Sequence, residues 1–146
     1  MIAETIQTAL TPVFVLVAIA SILNVLATRL GRVVDRARAM QDLHAQTEGA
    51  EHDMVVSEIR VLAKRIELTN RAILMLVLSG LVIGITVVLL FVAGFAGHNL
   101  DRFIGGAFVL AVGLLMAGLV FFLRETQEAS AALRIPETYL ELDRKL

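Results

Sequence analysis

The chain alternates long uncharged stretches with one charged stretch that keeps a regular apolar rhythm. Residues 72–96 carry no charged side chain over 25 positions, and residues 103–123 carry none over 21. At about 1.5 Å per helical residue, each run crosses a hydrocarbon core about 30 Å thick, so both predict spanning helices. A first apolar run, residues 10–27, is shorter and interrupted by Thr11, Pro12, Ser21 and Asn24, yet it too is uncharged. With its flanking turns it predicts a third span over residues 8–30, polar enough to need protein neighbours.

Between the first and second spans the apolar positions step by four and three: Leu26, Leu30, Val33, Ala37 and Met40 outward, then Val55, Ile59, Leu62, Ile66, Thr69 and Ile73 on the return. That spacing is the seam of an antiparallel helical pair. No Pro or helix-stopping pair breaks the rhythm at either boundary, so the two spans are expected to continue as rigid helices into a hairpin over residues 31–71. Residues 46–53, small and polar and including Gly49, predict its tip. One narrow seam buries little area between arms roughly 30 Å long, which favours packing of several copies. After the third span, residues 124–132 can prolong the helix. Pro136 and Glu137 then resemble a helical first turn ahead of Tyr139, Leu142 and Leu146, an apolar side suited to docking on the hairpin or a neighbour.

Composition agrees with the hydropathy pattern. Of 146 residues 58% are hydrophobic and 18% charged, with a mean hydropathy of +0.80, too apolar for a water-soluble domain of this size. The absence of Cys rules out a disulfide framework, a thiolate zinc site and a thiol nucleophile. Thirteen basic against 14 acidic residues give no nucleic-acid-binding body. The placement of the basic residues is more informative: none precedes the first span, eight lie from Arg29 to Arg71, Arg102 stands alone in the second turn, and four follow Leu123. The positive-inside rule then sets the N-terminus outside and the hairpin and C-terminus in the cytoplasm. The brief turn at residues 97–102 makes the second and third spans antiparallel neighbours. Ala18-Ile19-Ala20 imitates a signal-peptidase site, but the preceding segment has Glu4 and no basic residue, so the first run is expected to remain a span.

At 100° per residue, Ser21, Asn24, Thr28, Gly31, Asp35, Arg38 and Asp42 share about a third of the first helix, opposite its leucine-type seam. Leu10, Val13 and Val17 fall on the same face nearer the N-terminus. Symmetry-related copies of this face around an axis would form rings of Ser21, Asn24 and Thr28 that replace part of an ion's hydration shell, beneath a constriction of Leu10, Val13 and Val17. The plainer alternative is that Asn24 and Thr28 bond a neighbouring helix, the commoner use of polar groups in membranes. Arg29, Arg32 and Arg36, with Lys64, Arg65 and Arg71, form a basic collar suited to anionic lipid headgroups; Arg60 lies close by, and Asp35 and Glu67 are candidate partners for these cations. Gly80 and Gly84 make a GxxxG pair, and Gly106, Gly113, Ala117 and Gly118 offer further small surfaces for helix packing. His44, Glu48, Glu51 and His52 could gather near the tip, but a solvated loop explains them better than a metal site, since no complete ligand set is present. His98 and Asp101 in the second turn read equally well as a hydrated turn or a pH-responsive pair. No catalytic constellation, metal site or cofactor site is defensible, and an enzyme is not expected.

Asn24, Arg29, the run Arg32-Val33-Val34-Asp35-Arg36-Ala37-Arg38, Lys64-Arg65, Asn70-Arg71-Ala72-Ile73 and Phe122-Leu123-Arg124-Glu125 resemble a bacterial family, the domain of unknown function numbered 2721. The resemblance runs from the first span to about Ala132, with the Arg-x-x-Asp-Arg-x-Arg run its more specific part. It implies a small inner-membrane protein with three spans, and no catalytic residue or substrate. The expectation is therefore an all-α membrane protein with three transmembrane helices and a long cytoplasmic antiparallel hairpin between the first and second. Its partners would be membrane lipids and further copies of itself, with no nucleic acid. The specific activity expected is a small cation channel lined by the first helix; the alternative is a membrane-anchored adaptor whose hairpin recruits a cytoplasmic protein.

Overall fold

A computed structural model describes residues 2–96 and 100–132. The chain forms three helices, α1 Ile2–His44, α2 Gly49–Ala96 and α3 Asp101–Ala132, the expected all-α architecture. Each contains a segment long and apolar enough to cross a membrane, which makes the chain a multi-pass membrane protein in length and composition. Residues 97–99, with His98, and the tail residues Pro136, Glu137, Tyr139, Leu142 and Leu146 lie outside the described residues.

The first two helices pass from uncharged to charged sequence without a break, α1 over 43 residues and α2 over 48. At about 1.5 Å per residue both are roughly twice as long as a hydrocarbon core is thick. The connection between them is shorter than the sequence suggests. Residues 45–48 join the helices, and residues 50–53, expected in the tip, already belong to α2. Two donors close the end of α1: the Gln46 amide and the Thr47 hydroxyl both reach the Leu43 carbonyl, at 2.9 and 3.0 Å. Gly49 then takes a φ of 66°, a left-handed conformation open to a residue without Cβ, and Glu51 supplies the acidic first turn that a helix N-terminus favours.

Buried positions recur every seven residues on all three helices: Pro12, Ile19, Leu26, Val33 and Met40 on α1; Val55, Leu62, Thr69, Leu76 and Ile83 on α2; Ala111, Gly118 and Glu125 on α3. A seven-residue period keeps one row of a helix against its partner over many turns. The seam read from the sequence is the one the hairpin uses, with Val33, Met40 and Leu62 buried among Ala37, Ile59 and Ile66. The apolar half gathers around Ile19, Leu26, Ala72, Leu76, Ile83 and Ala111. Helix α2 is central, with α1 and α3 packed on it and touching each other little. Its second row turns toward α3: Ser79 donates a buried hydrogen bond of 2.7 Å to the Ala111 carbonyl. A Cβ on Gly118 would stand 2.9 Å from Leu76 Cγ and 3.2 Å from the Ala72 carbonyl oxygen. Between helices in lipid, such close packing and polar bonds supply the association that hydrophobic burial supplies in water.

Candidate functional site

Two features distinguish the molecule from a plain helical anchor: an unused face of α1, and a buried carboxylate where the three helices leave their apolar stretches. On α1, Leu10, Val13, Val17, Ser21, Asn24 and Thr28 are all exposed, and so are Gly31, Asp35, Arg38 and Asp42. The buried row lies on the opposite side, so a single helix carries two faces with the same seven-residue period. Ser21 donates to the Val17 carbonyl at 3.0 Å, and Thr28 to the Asn24 carbonyl at 2.9 Å. Both hydroxyls are thus satisfied on their own helix while their oxygens keep free lone pairs. The Asn24 carboxamide makes no hydrogen bond among the described residues.

Glu125 is buried completely, 0% exposed, between two arginines. From α2, Arg65 brings its Nε and Nη2 each to 3.0 Å from Oε1. From α1, Arg29 brings Nη2 to 2.8 Å from Oε2, close enough for ion pairing but without a well-aligned hydrogen bond at that oxygen. The Arg29 guanidinium also lies 5.2 Å from the centre of the Phe122 ring, within cation–π reach. One carboxylate thus ties α1 and α2 to α3, although α1 and α3 share little other contact. From the sequence Glu125 stands only in the prolongation of the third helix and in the family-like run Phe122-Leu123-Arg124-Glu125, with no partner assigned to it. The available signal was periodic: Glu125 falls seven residues after Gly118 and fourteen after Ala111, on the row that packs against α2.

The remaining cations of the collar are also engaged within the chain. Arg36 pairs with Glu58 at 2.7 Å, Lys64 with Glu128, and Arg71 with Glu67 one turn away. Arg36, Lys64 and Arg71 keep more than half of their side chains exposed, whereas Arg29 and Arg65 are turned inward. Glu67 is therefore the partner expected of it, but Asp35 pairs with none of these cations, and Arg32 makes no ion pair among the described residues.

Of the glycines singled out for packing, Gly80 faces Leu16 and Ile19 of α1 at ordinary contact distance. A Cβ added at Gly84, Gly106 or Gly113 would meet nothing within 4 Å among the described residues. The tight crossing is instead at Gly118. At the hairpin tip His44 and His52 approach with ring centres 4.4 Å apart and tilted by 54°, and His52 Nδ1 is enclosed without a hydrogen-bond partner. Glu48 and Glu51 do not complete a set, and no group of three metal-ligating side chains occurs among the described residues.

No curated protein and no solved structure matches the chain. A family model matches residues 9–135, a stretch that includes the α1 face, the hairpin and the Glu125 node. The chain therefore belongs to the family described as a protein of unknown function, DUF2721.

Proposed function

We propose that the protein is a symmetric homo-oligomer of the bacterial inner membrane in which copies of the α1 face surround a narrow, cation-conducting path. The observation that carries this reading is Asn24, a carboxamide without a partner among the described residues, in the middle of a continuous exposed face. An amide left unbonded in hydrocarbon costs several kcal/mol on the order given by transfer measurements, so it needs a donor and acceptor from another copy or from water. Neighbouring copies gathered about an axis supply both.

The electrostatics favour cations. Within the span the polar groups of this face are the uncharged hydroxyls of Ser21 and Thr28 and the Asn24 carboxamide, whose oxygens can meet a cation, and the first basic residue beyond them, Arg29, is drawn aside toward Glu125 and Phe122. Leu10, Val13 and Val17 would form a hydrophobic constriction that opens and closes by wetting. Orientation follows the basic residues, with the N-terminus outside and the charged hairpin in the cytoplasm.

The test is cation flux through purified protein in liposomes. Asn24→Leu is expected to abolish or strongly reduce conduction and Ser21→Ala to alter its ion preference. Unchanged flux in both variants would remove these residues from the path and overturn the reading. One feature favours the adaptor alternative, a groove of about 650 Å³ where the hairpin meets α3, lined by Met54, Val61, Leu62 and Ala129 together with Ser57 and the mutually paired Arg36 and Glu58, and by Arg65, which is held by Glu125. It would accept an apolar helix. A protein that conducts nothing, and that retains a cytoplasmic partner lost in Met54→Glu, would favour that role instead.

A further inference from the structure

Between residues 29 and 42, α1 carries six charged side chains: Arg29, Arg32, Asp35, Arg36, Arg38 and Asp42. Arg29 and Arg36 find carboxylates on α3 and α2. The side chains of Arg32, Asp35, Arg38 and Asp42 make no ion pair or hydrogen bond among the described residues, and all four are exposed. Asp35 and Arg38 are three residues apart and Arg38 and Asp42 four, the spacings at which side chains pair along a helix. Neither pair forms. Asp35, Arg38 and Asp42 also continue the row of Ser21, Asn24, Thr28 and Gly31 in steps of three and four without interruption, and a Cβ at Gly31 would meet nothing within 4 Å.

An unbroken three-four row is what keeps one side of a long helix against a parallel partner; a solvated face has no need of it. Copies of one chain in a membrane share an orientation, so α1 helices gathered about an axis run parallel, with equivalent residues at equal height. A residue on one helix then reaches residues three or four positions along its neighbour, about 4.5–6 Å higher or lower. On this geometry Asp35 meets Arg38 of the next copy, and Arg38 meets the next copy's Asp42. The row carries both signs in alternation and is complementary to itself.

We propose that Asp35, Arg38 and Asp42 form ion pairs between copies of this chain, carrying the α1 contact beyond the membrane into the hairpin and fixing its register. The inference rests on the homo-oligomer reading and adds the surface that sets how the copies align. Exposed pairs are individually weak and are screened by salt, so the contact both assists assembly and makes it sensitive to ionic strength.

The experiment uses the full-length protein in bilayer nanodiscs or mild detergent. The chain contains no Cys, so a single thiol at Ser21→Cys reports contact between the membrane halves of α1, which the channel reading requires. Self-association is then compared, by concentration-dependent energy transfer, for the native chain, Asp35→Arg, Arg38→Asp and the double exchange. Each single reversal is expected to lower the association constant about fivefold or more, and the double exchange to recover most of it. Circular dichroism checks that the helices persist. Single variants that associate as the native chain does, or a double exchange no tighter than the singles, overturn the proposal. Cross-linking at Ser21→Cys alongside indifferent charge variants overturns this register alone; a chain that stays solitary and does not cross-link overturns both.

Discussion

Glu125 is held by two arginines from different helices, and a carboxylate so placed is costly to disturb from either side. Replacing it with Gln keeps the shape and removes the charge, leaving Arg29 and Arg65 facing one another across a neutral amide. Since both guanidiniums retain some access to solvent, 32% and 19% exposed, the expected loss is about 2 kcal/mol, within the range for hydrogen bonds to charged groups. Thermal unfolding in detergent measures it, with Glu67→Gln as the control: its pair with Arg71 is exposed on both sides and removal should shift stability by no more than about 0.5 kcal/mol. Equal effects from the two would show that the node holds nothing together. At this scale the sequence was informative where a residue contradicts its surroundings. Asn24 stands out as a lone amide in an apolar run. Glu125 does not, because an acidic residue just after a span looks like any solvated tail, and its partner Arg65 is 60 residues away.

At the scale of the helices, the seven-residue period was written in the chain and predicted the seam from Leu26 to Ile73 position by position. Boundaries were less distinct, since Ala50, Glu51, His52 and Asp53 suit a helical first turn as well as a loop, and only the φ of Gly49 decides between them. Small residues were the poorest guide. A glycine shows where two backbones can approach, not whether they do: a Cβ added at Gly84, Gly106 or Gly113 would meet nothing within 4 Å among the described residues, whereas one at Gly118 would stand 2.9 Å from Leu76 and 3.2 Å from the Ala72 carbonyl oxygen. Gly118→Ala must therefore displace Leu76 and press on the Ala72 carbonyl, which should destabilise the α2–α3 pairing by about 1–3 kcal/mol, the usual range for overpacking. Gly113→Ala meets nothing within 4 Å among the described residues and should leave the folding stability of an isolated copy unchanged or raise it by up to about 1 kcal/mol, since Ala is the better helix former. Comparing the two variants by unfolding in detergent separates a crossing point from a merely small residue. Should Gly113→Ala instead weaken self-association, the exposed side of α3 also meets another copy.

The whole molecule is polarised along its length. The Glu125 node brings the C-terminal half of α1, the N-terminal half of α2 and the end of α3 to one place, so basic residues from three separate segments share one end, while Arg102 lies beside Asp101 where α3 begins at the other. Translocating that end would carry many cations across the membrane against the bias that governs insertion, whereas the opposite end carries Glu4 and Asp101 with a single arginine. The hairpin should consequently face the cytoplasm, and this can be tested because the chain has no thiol of its own. Ala3→Cys and Ala45→Cys occupy exposed positions near opposite ends. A membrane-impermeant maleimide should label only Ala3→Cys in right-side-out vesicles and only Ala45→Cys in inverted ones. The reverse pattern would put the ion-pair belt outside and place Leu10, Val13 and Val17 at the cytoplasmic mouth of any path along α1. Cations entering from the cytoplasm would then meet the hydrophobic constriction first and the oxygens of Asn24 and Thr28 afterwards.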